Sequence, residues 1–564
     1  MQRFLRINRM KIPRISNLNR LFHTIRPLRW KQIFYRLNYR LRFWAKPKQI
    51  KETNIEPDLL SDYAVLRELK GPLKALFKRE TILKGQFEFI HLEEHVGFPP
   101  NWDFRSPHKL WRYQLHYFEW LFCLDYIEAR KCVLSWIENY HYDRNRDGWE
   151  AYPTSLRLMS WSAYFVATHR SELSNDPSFS SILSQSIKTQ TTWLERNLEY
   201  HLMANHLLEN AAALLVTGSL FNGNSARRWK ETGSKILKQE IQEQILPDGM
   251  HFERSPMYHL RMLNVLKETR LLLKSDEENH LKPILRSMEK ALDLVRHPDG
   301  DIALLNDSNL GVYPLPLSSD NSFSPIPGPW KLPDAGYYGY RGSKGEYIIF
   351  DAGPIGPNYN PGHSHGDMFS YEVTWNYHKM VVDTGNFDYE PGLMRFHCRS
   401  TKAHNTVQIN EEDQCDFWGT FRVGKRFQPE DVKFAEKENG FQLEATHSGY
   451  RRFPERAVHR RLVDFHAGNP LRIQDWIQAE KSVHAVSRIH FHPDCKCLNM
   501  TARQLVIRNA NVDCIIEWDR ESSAKLEDSF YCPEFNTKLP NKVLALSQIG
   551  TDLRVHYSLR FTKG

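Results

Sequence analysis

The sequence predicts an α+β protein of two large domains, helical in the N-terminal part and a large antiparallel β-sandwich in the C-terminal part. Three observations predict it. At 564 residues the chain exceeds what one hydrophobic core usually organises. From about residue 60 to residue 300, apolar residues recur at helical spacing between Pro and Gly punctuation. Near residue 315 a Pro- and Ser-rich stretch gives way to β-branched and aromatic residues that alternate with period two.

In chain order, residues 1–50 form a basic arm. They contain no Asp or Glu, while Arg and Lys recur throughout. Charges interrupt every apolar stretch before it reaches the length of a secretory signal, so a cytoplasmic or membrane-associated location is expected, with the periplasm as the alternative. The arm reads either as an Arg-rich amphipathic segment lying on a membrane surface or polyanion, or as the solvated face of a helical cap. Residues 51–325 form the helical domain. Segments 110–127, 155–168, 181–198 and 206–217 read as amphipathic or buried helices, arranged as a bundle or a ring of hairpins. Residues 326–564 form the sandwich, with strands expected at 336–341, 346–352, 368–375, 379–384, 404–409, 458–465 and 471–479. Further strand-like runs lie at 483–491, 504–507, 512–518 and 553–561.

Composition narrows the function classes. A mean hydropathy of -0.57 with 25% charged residues argues against repeated membrane spans. The 15 Trp and 24 Tyr suit stacking on sugar rings or, equally, aromatic cores. A net charge of +9 suits an acidic partner, and without a recognisable nucleic-acid module no nucleic acid is expected. The eight cysteines lack zinc-ribbon or redox spacing and read as reduced thiols, or as a few pairs in an oxidising compartment.

Three clusters carry chemistry. The first is Asn205, His206, Glu209 and Asn210, polar groups inside an apolar helical run, which either serve a site or knit helices together. The second is the stretch 248–259, where Tyr258 follows Glu253 and Arg254; a phenol near cations can exchange a proton with a carbon acid, or simply pack. In the third, Pro361-Gly-His-Ser-His-Gly-Asp367, His363 and His365 face the same way on an extended backbone. Downstream, Asp383 and His404 follow or open strands. His365, Asp383 and His404 therefore form a candidate site for zinc or a similar divalent ion, or a hydrogen-bonded network.

Together, Asn205-His206-Leu-Leu-Glu209-Asn210, Glu253-Arg254-Ser-Pro-Met-Tyr258-His259, Asn306-Asp307, Gly362-His-Ser-His-Gly-Asp367 and Ala403-His-Asn-Thr406 resemble, in this order, the landmarks of the heparinase II/III family. The resemblance spans roughly residues 90–480. It implies an incomplete (α/α) toroid leaning on a β-sandwich, an active site in the cleft between them, and β-elimination at a hexuronic acid within an anionic polysaccharide. By position Asn205 resembles the residue that binds the uronate carboxylate, with His206 beside it; Tyr258 and His363 resemble the proton-transfer pair. His365, Asp383 and His404 resemble the family's metal positions, which implies a structural divalent ion, zinc in kind. Arg157, Arg254 and Glu209 are candidates for holding the sugar; the two arginines read equally as ion-paired within the helical domain. With no signal visible, the resemblance points towards making or trimming a bacterial surface polysaccharide. The alternatives are a non-catalytic polysaccharide-binding or assembly protein and a glycoside hydrolase using Glu209, Glu253 or Asp147.

Overall fold

The computed structural model describes residues 17–44, 76–143, 145–315 and 326–563. The ends of the basic arm (1–16 and 45–50) and the expected boundary at 325 lie outside the described residues.

The helical domain is organised around helix Ala204–Leu220, which is apolar on nearly every face and buried along almost its whole length. A helix hydrophobic all round needs neighbours all round. It packs on helices Ala151–Trp161, Pro177–Arg196, Asn224–Gln244 and Pro256–Thr269. Gly233 allows the closest of these approaches, since a Cβ there would meet the Ala211 carbonyl oxygen at 2.7 Å.

The single helix expected at 110–127 is two. Helix Lys109–Tyr117 stops at Phe118, which is left-handed with φ 60°, and a second helix, Tyr126–Asn139, starts from a capping box of Asp125 and Glu128. Burial of Phe118 and Trp120 to zero exposure holds the break. The Asp-x-x-Glu signal was present in the sequence, but continuous apolar periodicity masked it.

The sandwich pairs a five-stranded antiparallel meander, 328–381, with a ten-stranded sheet. The expected strands at 471–479 and 483–491 are one bent strand, Leu471–His490, whose register shifts between Gln478 and Val483 where it pairs with Leu539–Lys563. Strands Pro429–Lys437 and Ser523–Tyr531 were not anticipated, because their outer faces are charged and exposed.

The small sheet is buried on both faces. Along strand Tyr347–Asp351, Ile348 and Phe350 join the core between the sheets, whereas Tyr347 and Ile349 join the core of the helical domain. Period-two alternation thus sends one strand into two cores, and the run Tyr-Ile-Ile-Phe is apolar without interruption. The Tyr347 hydroxyl donates to the Leu294 carbonyl at 2.8 Å, and Arg254 donates to the carbonyls of Ala335 and Asp334.

The described part of the arm forms helices Asn17–Ile25 and Trp30–Trp44, which strap the two domains together. Arg20 pairs with Asp416 of the sandwich at 2.9 Å, and the Trp418 indole donates to Thr24 at 3.0 Å. Arg29 pairs with Glu243 of the helical domain, Tyr35 stacks on Tyr200 at 4.6 Å, and Gln32 donates to the carbonyls of Leu202 and Tyr359.

Candidate active site

Between the domains lies a cleft of ≈ 690 Å³ whose wall includes Asn205, His206, Tyr258 and His363. Tyr258 stands in the first turn of helix Pro256–Thr269, which begins with Pro after the N-cap Ser255; the Ser255 hydroxyl accepts the Tyr258 N–H at 3.2 Å. The start of that helix is fixed to the segment leading into the sandwich, because the same hydroxyl donates to the Asp307 carbonyl at 2.6 Å. Tyr258 lies against His363 with ring centroids 4.0 Å apart, and its hydroxyl is 3.1 Å from that of Tyr389. Burial, then the neighbouring Tyr389, pushes the Tyr258 phenol well above its usual pKa, so it rests protonated.

Asp307 is the hub. It is fully buried and accepts from His363 Nδ1 at 2.8 Å, from His365 Nε2 at 2.8 Å and from both terminal nitrogens of Arg395. A carboxylate only accepts, so the proton of each neutral ring lies on the nitrogen facing Asp307. This leaves His363 Nε2 as the basic atom, 3.6 Å from the buried carboxylate of Glu253. Burial opposes ionisation of Asp307, but Arg395 and the hydrogen bonds from His363 and His365 outweigh it and hold the group well below the usual carboxylate range. Asn306 makes the chain turn here with φ 57° and ties the turn down by donating to the Arg254 carbonyl at 3.1 Å.

Asn205 opens helix Ala204–Leu220 behind two left-handed non-glycine residues, Met203 and Ala204. Such backbone costs on the order of 1–3 kcal/mol per residue and persists only where surroundings enforce it. The Asn205 N–H approaches Glu253 at 3.4 Å, while its carboxamide makes no hydrogen bond with the described residues. His206 is held by Glu199 at 3.1 Å and lies on Tyr152 at 4.5 Å between ring centroids. Burial lowers the His206 pKa, but the Glu199 carboxylate more than reverses this, favouring the imidazolium.

Three expected sugar-holding residues are elsewhere. Arg157 is fully buried beneath Trp136, with its guanidinium spent on Gln190, Thr154 and the Gly148 carbonyl. Arg254 seals the domain junction through backbone carbonyls. Glu209 is fully buried in a two-pronged pair with Arg261. A fixed donor fork suits a buried carbonyl or carboxylate as well as a sugar, and charge in a sequence does not tell them apart. Replacing Glu209 by Ala therefore removes the two-pronged partner of buried Arg261 and leaves Glu119, 3.8 Å away, as its carboxylate partner among the described residues. We expect a loss of about 3–5 kcal/mol in denaturant unfolding and no change in polymer KM for the folded fraction.

His365 and His404 lie with ring centroids 5.4 Å apart, and His365 Nδ1 and His404 Nε2 are buried without a hydrogen-bond partner. The far nitrogen of each ring bonds a carboxylate, His365 to Asp307 and His404 to Asp383 at 2.7 Å. Carboxylate-buttressed imidazoles with one bare nitrogen fit the outer architecture of a metal site. Burial lowers the His365 pKa to about 3, leaving a neutral ring able to ligate. Asp383, expected as a ligand, hydrogen-bonds His404, and among the described residues no group of three ligating side chains stands ready around an ion. Asp383 follows strand His378–Val381 as expected, whereas His365 is on a loop and His404 precedes strand Val407–Ile409 rather than opening it.

Tyr389, in an irregular segment, and Arg395, on the short helix Leu393–Arg399, are both central to the site yet carry no motif or spacing signal in the sequence. It named Asn306-Asp307 only as a landmark. Gly366 is required by packing rather than by a turn, since a Cβ would meet Thr401 Oγ1 at 2.6 Å.

Two family models match, the heparinase II/III N-terminus over residues 101–312 and the heparinase II/III-like C-terminal domain over 325–559, together covering most of the chain. The chain belongs to the heparinase II/III family. Among curated family relatives, a heparin-sulfate lyase of Pedobacter heparinus is 22% identical over 351 residues, 54% of this chain and 52% of its own length. A heparin-sulfate lyase of Bacteroides stercoris is 25% identical over 265 residues, 41% of this chain and 39% of the relative. The chain thus spans about half the length, or less, of the curated relatives it matches. In fold, a crystal structure of heparinase III matches with a TM-score of 0.67 at 16% identity, over 95% of this chain and 91% of the other. A crystal structure of a heparan sulfate lyase mutant from Pedobacter heparinus matches at 0.61 and 19%, over 94% and 88%. The family architecture, a helical toroid followed by a large antiparallel sandwich, is that of this chain.

Proposed function

We propose that this chain is a polysaccharide lyase that cleaves a uronic-acid-containing polymer by β-elimination. The observation that carries the reading is the meeting of Tyr258 and His363, 4.0 Å apart ring to ring, in the interdomain cleft. The activity in the names of the heparin-sulfate lyases it is similar to supports the same class. Asn205 donates to the uronate carboxylate, assisted by His206, and stabilises the enolate-like charge that develops there. His363 Nε2 takes the C5 proton. The electron pair forms the C4–C5 double bond, the C4–O bond breaks, and the Tyr258 hydroxyl protonates the departing oxygen. Asp307 keeps His363 in the tautomer that leaves Nε2 free.

The charge of the cleft narrows the polymer. Its described lining contains no Arg; its two lysines, Lys78 and Lys109, are accompanied by Glu88, Glu119 and Glu390, and Tyr113, Tyr117, Tyr152 and Tyr313 supply much of the rest. Dense sulfation calls for guanidinium forks, whereas aromatic faces suit the apolar faces of sugars. The favoured substrate is therefore a sparsely sulfated or unsulfated uronate polymer, such as a bacterial surface polysaccharide. Hydrolysis is disfavoured because Glu209 and Asp147 are ion-paired with Arg261 and Arg112 and Glu253 is buried.

The test is ultraviolet absorbance during incubation with unsulfated and sulfated uronate polymers. A rise, larger on the unsulfated members, is expected, because elimination leaves an unsaturated sugar. New reducing ends without absorbance would mean hydrolysis, and retention of polymer without cleavage would mean a binding protein.

We also propose that His365 and His404 hold one divalent ion, zinc by ligand type, with Asp383 as its outer carboxylate. Such an ion would brace the sandwich side of the cleft. Elemental analysis of the purified protein should find about one equivalent of metal, and Asp383→Asn should weaken its retention about 10–100-fold. Metal content unchanged in His404→Ala would sink the assignment.

A further inference from the structure

The strap is folded inside out relative to an ordinary surface helix. In helix Trp30–Trp44 the residues that face the protein are Gln32, Tyr35 and Tyr39, polar or amphipathic, spaced three and four apart. The opposite face presents Trp30, Ile33, Phe34, Leu37 and Leu41, again at helical spacing, with Trp30 71%, Leu37 57% and Leu41 72% exposed. Leu21, Phe22 and Ile25 of the preceding helix are exposed as well, while Arg20 and Thr24 face inward. Surface helices normally turn such a stripe towards the core; a contiguous one turned outward marks an interaction surface.

Charge decides what it meets. At 100° per residue, Lys31 and Arg40 fall on the two margins of the stripe, and both are exposed, as is Arg26 in the turn before it. The arm contains no acidic residue to repel an anionic surface. Apolar residues bounded by cations that reach past them are the signature of a helix lying in a lipid interface. Among the described residues no helix is long and apolar enough to cross a membrane.

We propose that the strap docks the protein on an anionic lipid surface, its apolar stripe in the acyl boundary and its cations among the headgroups. Because Gln32 is bonded to Leu202, which also lines the cleft, docking fixes the cleft beside the membrane. A polymer tethered to that membrane is then held within reach. The inference does not depend on the chemistry assigned to the cleft.

The test is co-sedimentation of the full chain with vesicles of phosphatidylcholine alone or with phosphatidylglycerol at 7:3. Binding to the mixed vesicles, at least tenfold stronger than to the neutral ones and weakened by salt, is expected. Leu37→Glu/Leu41→Glu should reduce it about tenfold or more, since each exposed leucine contributes its transfer free energy only on insertion. The thermal midpoint should stay unchanged. No sedimentation with anionic vesicles, or equal binding by the double variant, overturns the proposal. So does a wild-type dimer that the double variant converts to monomer, which would make a second copy the occupant.

Discussion

Tyr258→Phe should abolish eliminative cleavage while leaving the protein folded. Only an oxygen is removed, the helix start at Ser255 and Pro256 is untouched, and the ring still fills its place against His363. The stability cost is that of one hydrogen bond to Tyr389, about 1 kcal/mol. The rate cost is that of a general acid. Burial keeps the phenol protonated at rest, so its role at the leaving oxygen has no ready substitute, and kcat should fall about 10²–10⁴-fold with KM little changed. Absorbance kinetics on the best polymer would measure it. A residual rate within threefold of wild type would move the acid role to another group, with Tyr389 the first to test.

The second large effect falls on Asp307, where two substitutions separate structure from chemistry. Asp307→Ala removes the carboxylate from Arg395, which is only 1% exposed, and from two histidines at once. An unpaired buried guanidinium costs about 3–5 kcal/mol, so this variant should unfold at markedly lower denaturant. Asp307→Asn keeps the shape, but its NH2 cannot accept from an imidazole. With one acceptor oxygen left for two imidazoles and Arg395, the tautomer that frees His363 Nε2 is no longer enforced, and kcat should drop about 10²-fold or more with substrate binding retained. The pH dependence gives an independent reading. Because the folded pKa of Asp307 lies well below its unfolded value, its contribution to stability is present above the ordinary carboxylate pKa of about 3.9 and is lost as pH falls through the folded value. Acid unfolding should therefore be less steep in Asp307→Asn; an identical acid limb in both proteins would mean that Asp307 is not the ionised hub.

Much of the fold was legible because it rests on local pattern. Helical periodicity marked the central helix at Asn205, and alternation marked the strand at Tyr347. Patterns failed where burial overrode them, as at Phe118, whose left-handed backbone divides a continuous apolar run, and along Pro429–Lys437, whose charged outer face hides a strand. The site was legible in the same uneven way. Asn205, His206, Tyr258 and His363 do line one cleft, whereas Arg157, Arg254 and Glu209, chosen for their charge, are spent inside the protein. Tyr389 and Arg395 escaped notice because Tyr389 lies in an irregular segment and Arg395 on a helix of only 7 residues, too short to show a period.

By itself the sequence determined the two-domain plan and the chemical groups available to the cleft, since periodicity and residue type are properties of short stretches of chain. Only the tertiary structure decided which groups share one environment. Asp307 binds His363, His365 and Arg395 across 56 to 88 residues of chain, and the apolar stripe of the arm faces outward because Gln32 and two tyrosines take the inward face. Such choices follow from desolvation and pairing between distant segments, which no local pattern records.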